Sequence, residues 1–290
     1  MSWRNPTSAT GTMSLRPNHL TPSGTMSWRA RRTPEHGAAP CRAIGSAAVI
    51  EVDDNAAVRV CTIDRAERRN AFDQQHYHAL AEALEQAAVD DTIHVVVITG
   101  SGSAFSAGQD LQEMAALADG SASGTNDGFP HLLDRLEAFP KPLLAAVNGD
   151  AVGIGMTMLL HCDITLIAAD ARVRVPFSEL GVPPEAGSSA LLADMIGWQH
   201  AAELLFTSRW IDGDEAVELG LALRAVPRDQ VLAETIALAG TIAQQSPWAV
   251  QTAKRLMLEA RGDRSRAARR GEDAAFAELF AGSSKRGTDA

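Results

Sequence analysis

Aromatic side chains, cysteines and long apolar runs are scarce in this chain of 290 residues. Aromatic residues make up 5%, too few for a surface that stacks on nucleic-acid bases. No apolar run reaches the length that crosses a bilayer, so we expect no membrane partner. The cysteines Cys41, Cys61 and Cys162 are unclustered, which favours a reducing, cytoplasmic location and offers no zinc-type spacing. We therefore expect no metal site.

Basic charge is also scarce beyond the first 45 residues. The formal net charge is −10, whereas residues 1–45 carry +5 from six arginines and one glutamate, so the rest carries −15. An acidic body does not suit nucleic acid as a partner. Any phosphate group must therefore be bound by local arginine or lysine side chains and by backbone N–H groups, because the overall field repels anions.

Composition divides the chain into three segments. Residues 1–45 are rich in Ser, Thr, Pro and Arg without hydrophobic periodicity, and are predicted to be a disordered extension. Residues 46–238 alternate apolar strands with amphipathic helices, which predicts an α/β core. Residues 239–290 are predicted to form a helical C-terminal region, a candidate for oligomerisation.

Several elements are predicted from local patterns. A β-hairpin is expected over Ala47–Val52 and Val58–Ile63, turning at residues 53–56, and a helix is expected after an N-cap at Asp73. A buried helix is predicted over Val152–His161. The loop Gly120–Gly128 is flexible by composition and is a candidate lid. Continuous apolar strands and further helices are predicted over Ile93–Thr99, Leu143–Val147, Ile164–Ala168, Ala171–Val175, Leu111–Leu117, His131–Ala138, Ser188–Ile196, Gln199–Phe206, Asp214–Leu219, Val231–Gln244, Pro247–Glu259 and Arg264–Phe280.

Two glycine-bearing turns, each entered from an apolar strand, carry the chemical information. The first follows Val95–Thr99 and includes Ser106-Ala-Gly-Gln-Asp110, and the second follows Leu143–Val147 and includes Ala151-Val-Gly-Ile-Gly155. Each turn can present backbone N–H groups at one place. Two such groups aimed at one oxygen would stabilise an enolate.

These turns belong to a longer set of ordered motifs. The set resembles the crotonase (enoyl-CoA hydratase/isomerase) superfamily over about residues 47–280, and is most similar to its Δ3,Δ2-enoyl-CoA isomerase-like branch. The motifs are Asp64–Phe72, Ala104–Leu111, Lys141–Gly149, Ala151–Gly155, Cys162–Ile164, Leu180–Ser189 and Ser246-Pro247.

The resemblance implies a fold and a substrate class. The fold would be a crotonase-like spiral of ββα units in the α/β class, with a C-terminal helical trimerisation region, giving a homotrimer or a dimer of trimers. The substrates would be coenzyme A thioesters. No separate cofactor is expected, because coenzyme A is part of the substrate.

The resemblance also assigns the oxyanion donors. They are the backbone N–H groups of Gln109 and Ile154, and Gly108, Gly153 and Gly155 would allow the close approach of a substrate. The Val152–His161 helix is expected to add its dipole to the second donor.

Carboxylates distinguish the reactions within the family. Hydration of a 2-enoyl-CoA uses two glutamates, and the matching positions here are Thr157 and Phe177. Neither is acidic. A shift of two residues in a strand preserves its facing, so Glu179 remains an alternative acid for a slipped alignment.

Glu185 is the acid that remains near the expected site. In the family's Δ3,Δ2-enoyl-CoA isomerases, a glutamate at the matching position is the base. Apolar surroundings that include Phe177 are expected to exclude water and raise the pKa of this carboxyl. The sequence thus favours an isomerase that shifts a 3-enoyl-CoA double bond to the 2-position. The alternatives are a 2-enoyl-CoA hydratase and a catalytically silent acyl-CoA-binding protein.

Coenzyme A also needs contacts for its phosphates and adenine. Arg68 and Arg69, with Arg65 nearby, are the best-placed cations, and the backbone around Ala71 and Ala107 is assigned to adenine by resemblance. Lys254, Arg255, Lys285 and Arg286 are further candidates. Phe177 is expected to line the acyl site, together with Met114, Leu117 and Phe129.

Overall fold

A computed structural model describes residues 49–118 and 126–286 of the chain. These residues belong to one compact unit, which spans residues 46–290. The extension over residues 1–45 and most of the candidate lid lie outside the described residues. The division into a core and a C-terminal region at residue 238 stays a prediction.

A six-stranded sheet forms the centre of the unit, with strand order β1-β2-β3-β5-β7-β10. The β1 and β2 strands form an antiparallel hairpin, and the other neighbours are parallel. These strands are Ile50–Asn55 (β1), Val58–Ile63 (β2), Val95–Gly100 (β3), Leu143–Val147 (β5), Ile164–Ala168 (β7) and Arg224–Val226 (β10).

A smaller sheet has the order β4-β6-β8-β9, in which the first three strands are parallel and β9 is antiparallel to β8. Its strands are Ala104–Ser106 (β4), Asp150–Val152 (β6), Arg172–Arg174 (β8) and Ile211–Asp212 (β9). The pairs β3–β4, β5–β6 and β7–β8 each place their first strand in the large sheet and their second in the small one. This repetition confirms the predicted spiral of ββα-type units in the α/β class.

Helices cover both faces of the large sheet. On one face Val95, Val97 and Leu144 pack with Ala239 of a C-terminal helix, and on the other Val96 and Ile98 enter the main core. Because both faces are buried, these strands read as continuous apolar runs. The helices are Gln74–Val89 (α1), Leu111–Ala118 (α2), Gly128–Ala138 (α3), Ile154–Thr157 (α4), Phe177–Leu180 (α5), Ser188–Ile196 (α6), Trp198–Thr207 (α7), Gly213–Glu218 (α8), Val231–Ala243 (α9), Pro247–Arg261 (α10) and Arg264–Arg286 (α11), with 3-10 helices at Ala66–Arg68 and Met158–His161.

Two predicted elements differ from the structure. The first strand continues through Asn55 instead of turning at residue 53, because Asp54 forms an ion pair with Arg59 across the hairpin at 2.8 Å. The predicted helix Val152–His161 is one α-helical turn, α4, followed by a 3-10 helix. The predicted first residue, Val152, belongs to β6, and Gly153 has a non-helical φ of +54°, so the helix begins at Ile154.

Two features of the sequence were interpreted correctly. Asp73 caps α1 by accepting a hydrogen bond from His76 N at 3.0 Å. Cys61 and Cys162 are buried core residues, and burial raises the pKa of each thiol to about 12. Within the described part of the chain, no helix is both long and apolar enough to span a membrane.

A buried polar network joins α10 to the large sheet. Lys254 Nζ donates to Asp163 Oδ2 and to Lys141 O, both at 2.8 Å, and Asp163 Oδ2 also accepts from Leu143 N at 2.8 Å. Only 8% of the Lys254 side chain is exposed. Lys254 is therefore a structural cation, and its burial disfavours the prediction that it contacts coenzyme A phosphates.

Replacing Asp163 with alanine tests the strength of this network. Asp163→Ala leaves the buried Lys254 ammonium without its counter-ion and the Leu143 N–H without an acceptor, so we expect the free energy of unfolding to fall by about 2–3 kcal/mol. Urea denaturation measures the change. The matched control Asp170→Ala removes an exposed ion pair with Arg228 (3.1 Å). That change should cost less than about 1 kcal/mol. Equal losses in both variants would contradict the account.

Candidate active site

The two glycine turns meet because the strands that lead into them are paired. β4 and β6 are parallel neighbours, with Ala104 opposite Asp150 and Ser106 opposite Ala151. Parallel strands end at the same edge of a sheet. The turns that follow, at Gly108 and Gly153, therefore begin side by side.

The first turn leaves one backbone N–H group without an acceptor among the described residues. Phe72 N donates to Gly108 O at 2.8 Å, and Asp110 N donates to Phe72 O at 2.7 Å. The N–H of Gln109, between these two bonded positions, has no acceptor among the described residues. Ser106 supports the turn, because its Oγ donates to Asn70 O at 2.8 Å and accepts from Gly108 N at 3.1 Å.

The second turn presents a matching donor. Gly153 N donates to Arg174 O at 3.2 Å, while Gly153 O accepts from Met156 N and Thr157 N at 2.9 and 2.8 Å. Ile154 is the first residue of α4, where a helical N–H has no partner within the helix. Its N–H has no acceptor in the portion of the chain that the structure describes.

Glycine is required at the centre of both turns. Gly108 has a φ of +93°, and a Cβ on it would lie 2.8 Å from Val152 O in the other turn. Gly153 has a φ of +54°, and a Cβ there would lie 3.8 Å from the Gly108 Cα. Backbone from the two turns is therefore in direct contact. Gly155 is buried beside Ser106.

Glu185 is the acid at this point of contact. Its Oε1 lies 3.9 Å from the position of a Cβ on Gly153. The residue is half-buried, but burial of the carboxyl group raises its pKa from the ordinary value of 4.5 to about 7, and the negative charge of Glu272 contributes to the increase. Apolar surroundings were expected to raise this pKa, whereas the contribution from Glu272 was not.

The two positions where a hydratase carries glutamates are buried and uncharged. Thr157 is fully buried, its Oγ1 has no hydrogen-bond partner among the described residues, and Phe177 is 4% exposed. Glu179 lies in the helix α5, not in a strand, so a shift of two residues changes its facing. Its side chain is 62% exposed and forms an ion pair with Arg174. The helix placement, the exposure and the ion pair of Glu179 disfavour the slipped alignment, which stays a prediction.

Of the arginines expected to contact coenzyme A, two are exposed and one is engaged in ion pairs within the protein. Arg68 and Arg69 are exposed and precede the first turn. Arg65 instead forms ion pairs with Asp73 at 3.2 Å and Asp110 at 3.0 Å, so it holds the turn.

The backbone positions assigned to adenine are partly engaged. Ala71 N donates to Arg68 O at 3.1 Å, and Ala107 N donates to Arg69 O at 2.8 Å. The Ala71 carbonyl accepts from Arg65 Nη1 at 3.0 Å. The Ala107 carbonyl has no donor among the described residues, which makes it the available group of the two alanines. The side chains of Leu117, Lys285 and Arg286 lie outside the described residues.

Sequence reasoning missed two polar groups near the site. Tyr77 is fully buried, its hydroxyl has no hydrogen-bond partner among the described residues, and burial with the charges of Glu185 and Glu113 raises its pKa well above the ordinary value. Glu113 accepts from Gln74 N at 3.1 Å, and its other oxygen is buried without a partner in the described regions. Tyr77 is the single tyrosine of the chain, a signal that was available in the composition.

No group of three or more His, Cys, Asp or Glu side chains within residues 49–118 and 126–286 is arranged to hold a metal ion. The site described above combines two backbone donors, a carboxyl group with a raised pKa, and apolar surroundings. This arrangement can stabilise an anionic oxygen and move one proton.

Comparison with known proteins gives the family. Residues 53–290 match the family model described as enoyl-CoA hydratase/isomerase. The chain belongs to the enoyl-CoA hydratase/isomerase family. The resemblance to the crotonase superfamily, stated on motifs alone, is thus confirmed.

Relatives within the family carry different activities in their names. The 2,3-dehydroadipyl-CoA hydratase of Escherichia coli K12 is 38% identical over 200 residues, which are 69% of this chain and 78% of that protein. The 1,2-epoxyphenylacetyl-CoA isomerase of the same organism is 36% identical over 61% of this chain and 69% of its own length.

Solved structures of the family confirm the fold. An enoyl-CoA hydratase/isomerase from Pseudoalteromonas atlantica T6c matches with a TM-score of 0.75 and 36% identity, covering 79% of this chain and 90% of that one. An enoyl-CoA hydratase from Mycobacterium marinum matches with a TM-score of 0.69 and 42% identity, covering 73% and 99%.

The raised pKa of Glu185 predicts a pH-dependent difference in stability. A carboxyl whose folded-state pKa is raised stabilises the fold below its unfolded pKa of 4.5, and this contribution is lost as the pH rises to about 7. Glu185→Gln should therefore be more stable than the native protein above pH 7 by about 3 kcal/mol, with no advantage near pH 4.5. Urea denaturation between pH 4.5 and pH 8 measures the difference in the free energy of unfolding, and Glu179→Gln, a change at an exposed glutamate, is the control. A difference that does not change with pH would contradict the raised pKa.

Proposed function

We propose that this family member is an enoyl-CoA isomerase that shifts a 3-enoyl-CoA double bond to the 2-position. The observation that carries the proposal is the acid Glu185 beside the contact of the two glycine turns, with Thr157 and Phe177 at the positions where a hydratase carries its glutamates. One proton carrier is enough for isomerisation. Hydration needs in addition a group that orients water.

The reaction balances with one carboxylate. Glu185 takes the proton from C2 of the 3-enoyl thioester, and the C–H electron pair enters a dienolate whose charge lies largely on the thioester oxygen. The N–H groups of Gln109 and Ile154 donate to that oxygen. The protonated Glu185 then returns the proton at C4, and the double bond forms between C2 and C3. No water is consumed.

The pKa of Glu185 suits this cycle. A general base and acid is most effective when its pKa lies near the working pH, and the pKa of Glu185 is raised to about 7. An oxyanion donor of this kind typically contributes about 2.7–4 kcal/mol of transition-state stabilisation. The short helix α4 places the Ile154 N–H at its first position, but with one turn it contributes little dipole beyond its own end groups.

The acyl-CoA thioester is the proposed partner, and it brings coenzyme A with it. Arg68 and Arg69, exposed ahead of the first turn, are the cations that we assign to its phosphates, with the Ala107 carbonyl for adenine. Phe177 is assigned to the acyl side of the site. No further cofactor enters this mechanism.

Two alternatives remain as outcomes of the test. Hydration of 2-enoyl-CoA is favoured by the relative named 2,3-dehydroadipyl-CoA hydratase, whereas the absence of acids at positions 157 and 177 disfavours it. A silent acyl-CoA-binding protein would keep the oxyanion donors and use no base.

Activity assays separate the three functions. Purified protein is expected to convert 3-enoyl-CoA to 2-enoyl-CoA, and Glu185→Gln should lower kcat about 10²–10⁴-fold because the base is lost. The absorbance of the conjugated thioester measures the product. The control Glu179→Gln, an exposed glutamate outside the site, should retain native turnover.

Each alternative has its own result. Rapid addition of water to 2-enoyl-CoA by the native protein would contradict the reaction class. Unchanged isomerisation by Glu185→Gln would contradict the assignment of the base. Binding of acyl-CoA without any turnover would identify a silent binding protein.

We also propose that the protein assembles as a homotrimer or a dimer of trimers, as the family resemblance implies. The chain exposes large apolar side chains on α7, with Trp198 76% and Phe206 74% exposed, beside an apolar pocket of about 250 Å³. Exposed apolar side chains of this size often mark contact surfaces. Light scattering should give a mass of three or six chains, and a monomer would contradict the proposal.

A further inference from the structure

The loop that carries Glu185 is held by the last helix of the chain. Glu272 on α11 is 5% exposed, and its carboxylate accepts three hydrogen bonds from the residues just after Glu185. Gly187 N donates to Oε2 at 2.7 Å, and Ser189 N and Ser189 Oγ donate to Oε1 at 2.9 and 2.6 Å. Both oxygens of Glu272 are thus used to hold this loop.

Glu272 supplies a cap that the local sequence lacks. Helix α6 begins at Ser188, and its N-cap residue Gly187 has no side chain to bind the first N–H groups. A carboxylate near these groups satisfies them and also interacts favourably with the positive end of the helix. A residue distant in sequence therefore fixes where α6 starts, and with it the end of the Glu185 loop.

A second contact restrains the other side of the loop. His161 Nε2 and Ala186 O are 2.8 Å apart. Burial lowers the pKa of His161 to about 4, so the ring is neutral at pH 7 and donates this hydrogen bond. Ala186 has a φ of +60°, which is unfavourable for a residue with a Cβ. A strained conformation of this kind persists only when its surroundings hold it in place.

We propose that Glu272 is a positioning residue for Glu185, holding the loop of residues 185–189 so that the Glu185 carboxyl stays beside Gly153 and experiences a fixed negative charge. The inference rests on the proposed function for the role of Glu185 as a base. It gives part of the C-terminal region, which the sequence assigned to trimerisation, a role in the active site of its own chain.

Other charged and titratable groups surround the two carboxyls. Tyr77 on α1 lies near Glu185 and near Glu113 on α2, and the negative charges of both glutamates raise the pKa of its hydroxyl. Beyond Glu272, α11 carries Arg269, which donates to Glu137 on α3 at 2.9 Å. The positive charge of Arg261 on α10 contributes to the lowered pKa of His161. Arg264 forms an ion pair with Asp194 on α6 at 2.8 Å. Among these groups, Glu272 is the charged one that raises the pKa of Glu185.

The test compares pH profiles of kcat/KM for 3-enoyl-CoA. Glu272→Gln removes the negative charge and one acceptor, so the acid limb should move to lower pH by at least about half a unit. We expect kcat at pH 8 to fall about tenfold with little change in KM, because the base is misplaced. Asp273→Asn removes a neighbouring exposed charge of the same helix and should change neither value.

A second variant separates position from charge. Ser189→Ala removes one hydrogen bond to Glu272 and keeps its charge, so kcat should fall while the acid limb stays in place. If circular dichroism shows that Glu272→Gln does not fold, Ser189→Ala still tests whether Glu272 positions Glu185. Unchanged kcat in Ser189→Ala, or a native pH profile and kcat in folded Glu272→Gln, would overturn the proposal.

A readout independent of turnover distinguishes this proposal from the proposed function. The pH-dependent stability difference between the native protein and Glu185→Gln reports the pKa of Glu185 without substrate. Repeating that comparison in the Glu272→Gln background should give a smaller difference. If Glu185→Gln retains activity but this difference shrinks as expected, the proposed base is wrong and the coupling between the two carboxyls stands. An unchanged difference would overturn the coupling.

Discussion

The parallel pairing of β4 with β6 is the constraint on which the site depends. Each strand is three residues long, yet their pairing brings two turns that are far apart in the sequence into backbone contact. Gly108 has no room for a Cβ, which would lie 2.8 Å from Val152 O, and Gly153 has a φ of +54° that residues with a Cβ rarely adopt. The N–H groups of Gln109 and Ile154 are left without acceptors in the described structure, and a pair of such donors is what an enolate oxygen requires.

The carboxyl groups determine what this donor pair can be used for. Glu185 lies next to Gly153 in surroundings that raise its pKa, while Thr157 and Phe177 provide no second acid. The other charged groups near the site have structural roles. Asp110 accepts from Gln112 N at 2.9 Å and starts α2, Arg65 binds Asp73 and Asp110, and Glu272 holds the loop after Glu185. Most charged groups near the site thus hold backbone in place.

Much of this could be predicted from the sequence, because it depends on local chemistry. The glycine turns, the Asp73 cap and the buried strands follow from residue types and spacing. Residues whose role depends on distant partners could not be read in this way. Lys254 binds Asp163 and Lys141 inside the protein, and Glu272 binds residues 187–189. The helix α5 was missed because four residues are too few for a period, so Glu179 was given a strand facing that it does not have.

A crystal structure with acetoacetyl-CoA, a thioester that mimics the enolate-forming substrate, tests the central claim most directly. The thioester oxygen is expected to accept hydrogen bonds from Gln109 N and Ile154 N at about 2.7–3.1 Å. A Glu185 oxygen should lie within about 3.5 Å of C2. A thioester oxygen bound elsewhere, or a different carboxyl group nearest to C2, would contradict the account.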